Sequence, residues 1–189
     1  MKLVMLGGTF NPPHNGHIRM AELVRLQLGY DRVVLVPSYQ PAHKTVDSGA
    51  TAGQRLEMVR LAASRLPSAF VSDCELHRKG VSYSIDTVRY LKKLYRPEGK
   101  PGLIIGDDLI AGFHRWHKVD ELVREADVIV VHRGEPEELN LPFPHCYVDN
   151  PLLPVSSSEI REALRAGRSV DDLLPPAVLD YIGRNRLYV

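Results

Sequence analysis

Short, continuous apolar runs alternate with amphipathic stretches along the chain. Runs of this kind are typical of buried strands in a parallel sheet, whereas apolar residues that recur every third or fourth position indicate one face of a helix. The runs predict strands at Leu3–Leu6, Val33–Val36, Phe70–Ser72, Leu103–Ile105, Asp127–His132 and Cys146–Val148. The amphipathic stretches predict helices at Gly16–Leu28, from Thr51 to before Pro67, from near Ser84 onwards and at Val119–Glu125.

The order of these elements predicts the fold class. Strands that alternate with helices indicate an α/β protein, and a strand, a helix and a strand in succession form a right-handed unit with parallel strands. We therefore expect a Rossmann-like, doubly wound parallel sheet of about five to six strands with flanking helices. The length of 189 residues fits a single domain. We assign residues 1–189 to this domain, with a helical C-terminal part at about 156–189, and expect Pro37–Gly53 to form a surface loop.

Composition and charge exclude several classes of partner. The 24 Lys and Arg residues against 23 Asp and Glu residues give a net charge of +1, so neither a polyanion groove nor a basic membrane-surface helix is predicted. No apolar segment reaches the length of a membrane span. Cys74 and Cys146 lie far apart without the spacing of metal ligands, which indicates buried, reduced thiols. We therefore expect a cytoplasmic protein that binds neither nucleic acid nor membrane, and the sequence leaves open whether it forms a homo-oligomer.

Polar chemistry is concentrated directly after the first strand, in the sequence GGTFNPPHNGH. Gly7 and Gly8 allow the backbone to approach a ligand closely, and a strand, a glycine turn and a helix start together form a phosphate pocket. Thr9 adds a hydroxyl, and His14 and His17 stand at the opening of the helix. The pair places imidazoles, rather than the lysine of a Walker loop, next to phosphate oxygens. The structural alternative is that both rings only cap the helix and fill space.

A second polar cluster, VSSSEIREAL, begins at Val155. Ser156 or Ser157 is expected to cap a helix, with Glu159 completing a capping box. Arg161 falls in the first turn of this predicted helix, where a guanidinium can join serine hydroxyls and free amides around phosphate oxygens. Arg161 therefore changes a plain helix start into a candidate phosphate site.

Both clusters resemble the motifs of one enzyme superfamily. GGTFNPPHNGH resembles the nucleotidyltransferase form of the HxGH motif, and SSSEIR resembles the serine and arginine motif of the same superfamily. Similarity to the bacterial nicotinate-nucleotide adenylyltransferases extends to PAHK at 41–44, to the segments 75–87 and 106–116, and to the C-terminal LPPAVLDYIGRNRLYV, so it spans essentially the whole chain. The resemblance implies transfer of the adenylyl group of ATP to nicotinate mononucleotide, giving nicotinate adenine dinucleotide and pyrophosphate in NAD biosynthesis.

The resemblance also implies roles for individual residues. His14 and His17 would be catalytic and hold the α-phosphate region of ATP. By the same resemblance, the residues expected to contact ATP are Gly8, Thr9, Phe10, His14, His17, Gly106, Asp108, Ser157, Ser158 and Arg161. The residues expected to contact the mononucleotide are Asn11, Lys44, Ser84, Ile85 and Trp116. Mg²⁺ is expected to arrive with ATP, and no residue of the chain is assigned as a metal ligand.

The acceptor side of this prediction depends on a helix start. Ser84 is expected to cap the helix that follows it, and the pyridine carboxylate would meet exposed backbone amides near Ile85. The residues between Cys74 and this helix are expected to form a polar loop.

Two rival functions stay open: transfer to phosphopantetheine or glycerol phosphate within the same superfamily, and a nucleotide-binding regulatory module without catalysis. Release of pyrophosphate with a panel of acceptors separates them.

Overall fold

A computed structural model describes residues 1–42, 49–132, 141–148, 150 and 155–189. Within these ranges the strands are β1 (Leu3–Gly8), β2 (Arg32–Pro37), β3 (Gln40–Pro41), β4 (Ala69–Val71), β5 (Val81–Ser82), β6 (Gly102–Gly106), β7 (Asp127–Val131) and β8 (His145–Val148). The helices are α1 (Asn15–Leu28), α2 (Ala52–Ala63), α3 (Cys74–Arg78), α4 (Ser84–Tyr95), α5 (Ile110–Phe113), α6 (Val119–Glu125), α7 (Ser157–Arg165) and α8 (Pro176–Arg184), and Asp107–Leu109 form a 3₁₀ turn.

Six strands of the described ranges form one parallel sheet in the order β4-β2-β1-β6-β7-β8. Counted along the chain within this sheet, the order is 3-2-1-4-5-6, which is the arrangement of doubly wound dinucleotide-binding folds. β3 and β5 pair separately as a short parallel ribbon. The predicted fold class is therefore confirmed.

The central strands are buried on both faces because their alternate residues pack against different helices. Leu3 and Met5 of β1 belong to a cluster of buried residues that includes Ile85 of α4 and Leu122 of α6. The intervening residues of β1 belong to a second cluster, with Val24 of α1 and residues of α2. The two helix layers on opposite faces make the sheet doubly wound.

A third cluster of buried residues joins α2 to the C-terminal helices. Met58 of α2, Ile160 of α7 and Val178 of α8 are fully buried in it. This contact determines where the N-terminus of α7 lies relative to the sheet. The assignment of residues 1–189 to a single domain stays a prediction. No helix in the described part of the chain is long and apolar enough to cross a bilayer.

The predicted strands and helices are confirmed, with small shifts at their ends, but the segment after Cys74 is not the polar loop that was expected. It contains α3 and then β5. A helix of five residues has fewer than two turns, so it leaves no periodic signal in the sequence. Ser84 is also not a cap: it is the first residue of α4, and Tyr83 precedes the helix in an extended conformation.

Four further details differ from the predictions. The expected surface loop Pro37–Gly53 contains β3 and the first residues of α2, and its residues 43–48 lie outside the described part of the chain. β1 continues through Gly7 and Gly8, because both residues pair in register with the end of β2. Arg161 is the fifth residue of α7 and so lies beyond its first turn. Both cysteines are free, as expected, but Cys146 is exposed, because β8 is at the edge of the sheet.

Candidate active site

The candidate site lies at the carboxyl ends of β1 and β6. These neighbouring strands mark the point where the sheet order reverses, since β1 continues to β2 on one side and β6 to β7 on the other. Open α/β sheets bind ligands in the crevice at this position. β1 ends at Gly8 and β6 ends at Gly106. The segment that follows each strand therefore begins at the same edge of the sheet.

The loop from Thr9 to His14, here called the HxGH loop, places the two histidine rings together. His14 is buried and precedes α1, and His17 is the third residue of that helix. Their ring centroids are 3.7 Å apart, and the Phe10 ring meets His17 edge-on at 4.9 Å. The His14 backbone N–H donates to His17 Nδ1 over 3.2 Å. Because Nδ1 accepts, a neutral His17 carries its proton on Nε2, where it can donate to a ligand oxygen.

Gly16 explains why a glycine stands between the two histidines. A Cβ at this position would lie 2.9 Å from Val155 Cγ1 and 3.0 Å from His14 Nδ1. A side chain would therefore push apart the His14 ring and the segment that leads into α7. Gly16 allows the two sequence motifs to touch.

The serine and arginine motif contacts the HxGH loop directly. The predicted capping box is confirmed: Ser156 Oγ accepts from Glu159 N–H over 3.2 Å, and the Glu159 carboxylate accepts from Ser156 N–H over 3.0 Å. Ser157 Oγ donates to the Pro12 carbonyl over 2.8 Å. With this hydroxyl proton committed to the protein, a phosphate would be met at Ser157 by its backbone N–H, which has no intrahelical partner in the first turn.

Arg161 links the two motifs a second time. Its side chain is largely buried, Nη1 donates to the Asn11 carbonyl over 2.9 Å, and Nη2 donates to Ser158 Oγ over 3.2 Å. The guanidinium and the N-terminal end of α7 therefore add positive potential on the side of the HxGH loop that α7 contacts.

Arg55 was not recognised from the sequence as a site residue. It is 1% exposed, and it donates from Nη1 to the Thr9 carbonyl over 2.7 Å and from Nη2 to the Tyr39 carbonyl over 3.1 Å. Burial lowers the pKa of its guanidinium. The available signal was an arginine in helical register with Met58, Val59 and Ala62 on an otherwise apolar face of α2.

Tyr188 was also missed. It is buried next to the end of the chain, and its hydroxyl donates to Asn11 Oδ1 over 2.6 Å. Burial raises the pKa of this hydroxyl, while the charges of Arg161 and Arg55 oppose that rise. The bond fixes the orientation of the Asn11 amide, whose contact with the mononucleotide stays a prediction.

The start of α4 forms the other half of the candidate site. Ser84 and Ile85 occupy its first two positions, where backbone N–H groups have no intrahelical partner. The Ile85 side chain is fully buried, so only its main chain can reach a ligand. The Tyr83 ring stacks on His117 at 4.2 Å, and Trp116 packs against Phe113 at 4.7 Å. The structure therefore brings the Trp116 segment to this helix start, whereas Lys44 lies outside the described residues.

A buried carboxylate supports the same helix start. Thr87 Oγ1 donates to Glu75 Oε1, and Arg78 donates to Thr87 Oγ1 over 3.2 Å. Burial raises the pKa of Glu75, and the hydrogen bonds from Thr87 and Ser82 oppose that rise. This group ties α3 and β5 to the first turn of α4.

The end of β6 contributes Gly106 and the acidic pair. Asp107 Oδ1 accepts from the Asp108 N–H over 2.9 Å, and Asp107 Oδ2 lies 3.5 Å from His132 Nδ1. The Asp108 side chain is exposed at the carboxyl end of the sheet, and its contact with ATP stays a prediction. Among the residues that the structure describes, no group of three or more His, Cys, Asp or Glu side chains could hold a metal ion.

The chain is similar to known proteins in sequence and in fold. The model of the cytidylyltransferase-like family matches residues 5–163. A protein of Borreliella burgdorferi named probable nicotinate-nucleotide adenylyltransferase is 41% identical over 189 residues, covering 100% of this chain and 97% of the relative. A Streptococcus mutans protein of the same name is 41% identical over 186 residues, covering 97% and 87%. The structure of Plasmodium falciparum nicotinic acid mononucleotide adenylyltransferase complexed with NaAD has a TM-score of 0.79 at 21% identity, covering 99% of this chain and 97% of that chain.

Proposed function

The chain belongs to the cytidylyltransferase-like family and, within it, to the nicotinate-nucleotide adenylyltransferases, and we propose that it transfers the adenylyl group of ATP to nicotinate mononucleotide. An oxygen of the mononucleotide 5′-phosphate attacks the α-phosphorus of ATP in line and forms a new P–O bond. The bond from the α-phosphorus to the oxygen bridging to the β-phosphorus breaks, and pyrophosphate leaves with the electron pair. The other product is nicotinate adenine dinucleotide, and no protein nucleophile takes part.

The observation that carries this proposal is the direct contact between the HxGH loop and the start of α7. Ser157 and Arg161 donate to main-chain carbonyls of that loop, so the imidazole pair, a guanidinium and the positive end of a helix dipole converge. Convergent donors and positive charge fit a triphosphate. Phosphoryl transfer is governed by positioning and charge stabilisation, which this arrangement supplies.

His17 stabilises the charge that grows during transfer. Its Nε2–H donates to a non-bridging oxygen of the α-phosphate, which becomes more negative as the reaction proceeds. His14 supports the same phosphate from the first position before α1. The backbone of Gly8, at the end of β1, and of Thr9 and Phe10 contacts the same α-phosphate.

The start of α7 holds the departing phosphates. Ser157 contributes its backbone N–H, and Ser158 lies one residue further along the helix. Arg161 donates from Nη1 to the Asn11 carbonyl and from Nη2 to Ser158 Oγ. Its guanidinium therefore acts on the β- and γ-phosphates through its charge. Gly106 and Asp108, at the end of β6, serve the adenosine part of ATP.

ATP enters as its magnesium complex. We expect the metal to be held mainly by phosphate oxygens and water. When bound, the metal neutralises part of the triphosphate charge.

The nicotinate end of the acceptor binds at the start of α4. Its carboxylate accepts from the backbone N–H groups of Ser84 and Ile85 and gains from the positive end of the helix dipole. Trp116 and its neighbours cover the ring. A contact of Lys44 with the acceptor phosphate rests on the resemblance alone, because Lys44 lies outside the described residues.

The test compares acceptors in an assay of pyrophosphate release from ATP. We expect kcat/KM for nicotinate mononucleotide to exceed that for its amide by at least about a hundredfold, because the amide brings an NH₂ donor against donors. Phosphopantetheine and glycerol phosphate should give no release above background. Comparable values for acid and amide would overturn the acceptor assignment, and release with neither mononucleotide would overturn the proposed function.

A further inference from the structure

Arg55 is a fully buried cation that binds main chain. Two of its guanidinium nitrogens donate to the carbonyls of Thr9 and Tyr39. Burying a guanidinium is costly, and the two charge-assisted bonds offset that cost only because the planar fork can reach both carbonyls at once. An apolar residue would pack on this face of α2 at lower cost. The arginine therefore has a use beyond packing.

The two carbonyls belong to segments on different halves of the candidate site. Thr9 opens the HxGH loop, which serves ATP in the proposed function. Tyr39 precedes β3, and its N–H donates to Ser82 Oγ of β5 over 3.1 Å. β3 also pairs with β5, and β5 is followed directly by Tyr83 and α4. Ser38 N–H donates to the Gly8 carbonyl over 2.9 Å, so the two segments already touch beside Arg55.

Arg55 also determines the orientation of one peptide in the HxGH loop. The peptide between Thr9 and Phe10 is trans, so its C=O and N–H point in opposite directions. Because Arg55 holds the Thr9 carbonyl, the Phe10 N–H is directed away from α2. The Phe10 backbone has a φ of 50°, a conformation that bulky residues rarely adopt unless their surroundings hold them in place.

We propose that Arg55 is a positioning residue that fixes the ATP loop and the acceptor segment at one separation, so that the two reacting phosphates meet in line. The inference rests on the proposed function for the identity of the two substrates. In-line transfer is sensitive to small displacements, and a misplacement of about 1 Å can cost about a hundredfold in rate. A lysine at this position retains the charge but reaches only one of the two carbonyls.

The test is Arg55→Lys, with Arg60→Lys as the matched control on the same helix. The Arg60 side chain is 51% exposed and pairs with Glu57 and Asp73 on the surface. We expect R55K to lower kcat by about ten- to a hundredfold and to raise KM for both ATP and the mononucleotide. R60K should match the wild type. Rates are compared below the unfolding temperature of every variant, so that loss of folded protein does not contribute.

Hydrogen exchange measures the connection without any turnover. In R55K we expect faster amide exchange in both segments, residues 8–11 and 38–40, and unchanged exchange in R60K. Wild-type rates in R55K, a raised KM for only one substrate, or faster exchange in only one segment would overturn the proposal. An R55K chain that does not fold would assign Arg55 a structural role instead and also overturn it. If the wild type releases no pyrophosphate, the proposed function fails while the exchange experiment still decides the role of Arg55.

Discussion

His14 and His17 differ in what the fold allows each ring to do. His14 is 3% exposed and sits directly before α1, whereas His17 is only partly buried, one helical turn further on. The hydrogen bond from the His14 backbone to His17 Nδ1 places the proton of a neutral His17 ring on Nε2. The capping of α1 by His17 Nδ1 is therefore compatible with the catalytic role that is predicted for the same ring.

At this scale we predict that His17→Ala lowers kcat by at least about a hundredfold, because it removes a donor to the transferring phosphate. Circular dichroism should stay close to that of the wild type, and the unfolding temperature should fall only modestly, because the change also removes the hydrogen bond from the His14 N–H to the His17 ring. His77→Ala is the control, because the His77 side chain is 76% exposed on α3. A His17→Ala enzyme with near wild-type kcat would remove this histidine from the mechanism.

At the scale of elements, the site depends on how closely α1 approaches the segment before α7. Gly16 is the point of contact, and the capping box of Ser156 and Glu159 fixes where α7 begins. The helix start is determined locally, but the distance to the histidines is determined by packing. A single methyl group at this contact would therefore crowd the Val155 side chain and the His14 ring.

We predict that Gly16→Ala destabilises the protein by about 1–3 kcal/mol, because the added Cβ overpacks the junction. It should also reduce kcat/KM for ATP by at least about tenfold, because the His14 ring and α7 must move apart. The control is Gly183→Ala in α8, where, apart from the backbone of its own helix and its chain neighbours, no described atom lies within 4 Å of the added Cβ. That change should stabilise the protein by about 0.5–1 kcal/mol. Equal stability and activity of the two variants in urea unfolding and kinetics would contradict the prediction.

At the scale of the whole molecule, the end of the chain completes the site at its beginning. Tyr188 reaches back to Asn11, a residue 177 positions earlier, and it lies near both Arg55 and Arg161. The cluster that joins α2, α7 and α8 holds it there. The last turn of the chain is therefore part of the support of the HxGH loop.

We predict that Tyr188→Phe lowers the free energy of unfolding by about 1–3 kcal/mol at pH 7, because Asn11 Oδ1 loses a buried donor. Since burial raises the pKa of Tyr188, its contribution is complete below the unfolded value near pH 10 and is lost as the pH rises through the folded value. The difference between wild type and variant should therefore shrink above about pH 10. Urea unfolding at pH 7 and at a pH above about 10 measures this difference, with Tyr181→Phe on α8 as the control. A gap that stays constant with pH would refute the ionisation argument.

Local sequence patterns were enough to predict most of the strands and helices and the type of chemistry. The period of apolar residues and the capping signals act over a few neighbouring positions, so β1, α1 and the capped start of α7 could be predicted from the residues alone. The two motifs also identified the family, because their residue types and order are visible in one dimension. The residue roles carried over with them stay predictions.

The side chains that hold these motifs in place could be identified only from contacts between residues distant in the chain. Arg55 meets a carbonyl 46 positions away and Arg161 meets one 150 positions away, and no local pattern states which carbonyl a guanidinium will reach. The sequence also did not reveal α3, the pairing of β3 with β5, or the reason for Gly16, because each depends on a partner distant in the chain. Periodicity reports which face of an element is buried, whereas packing decides what that face meets.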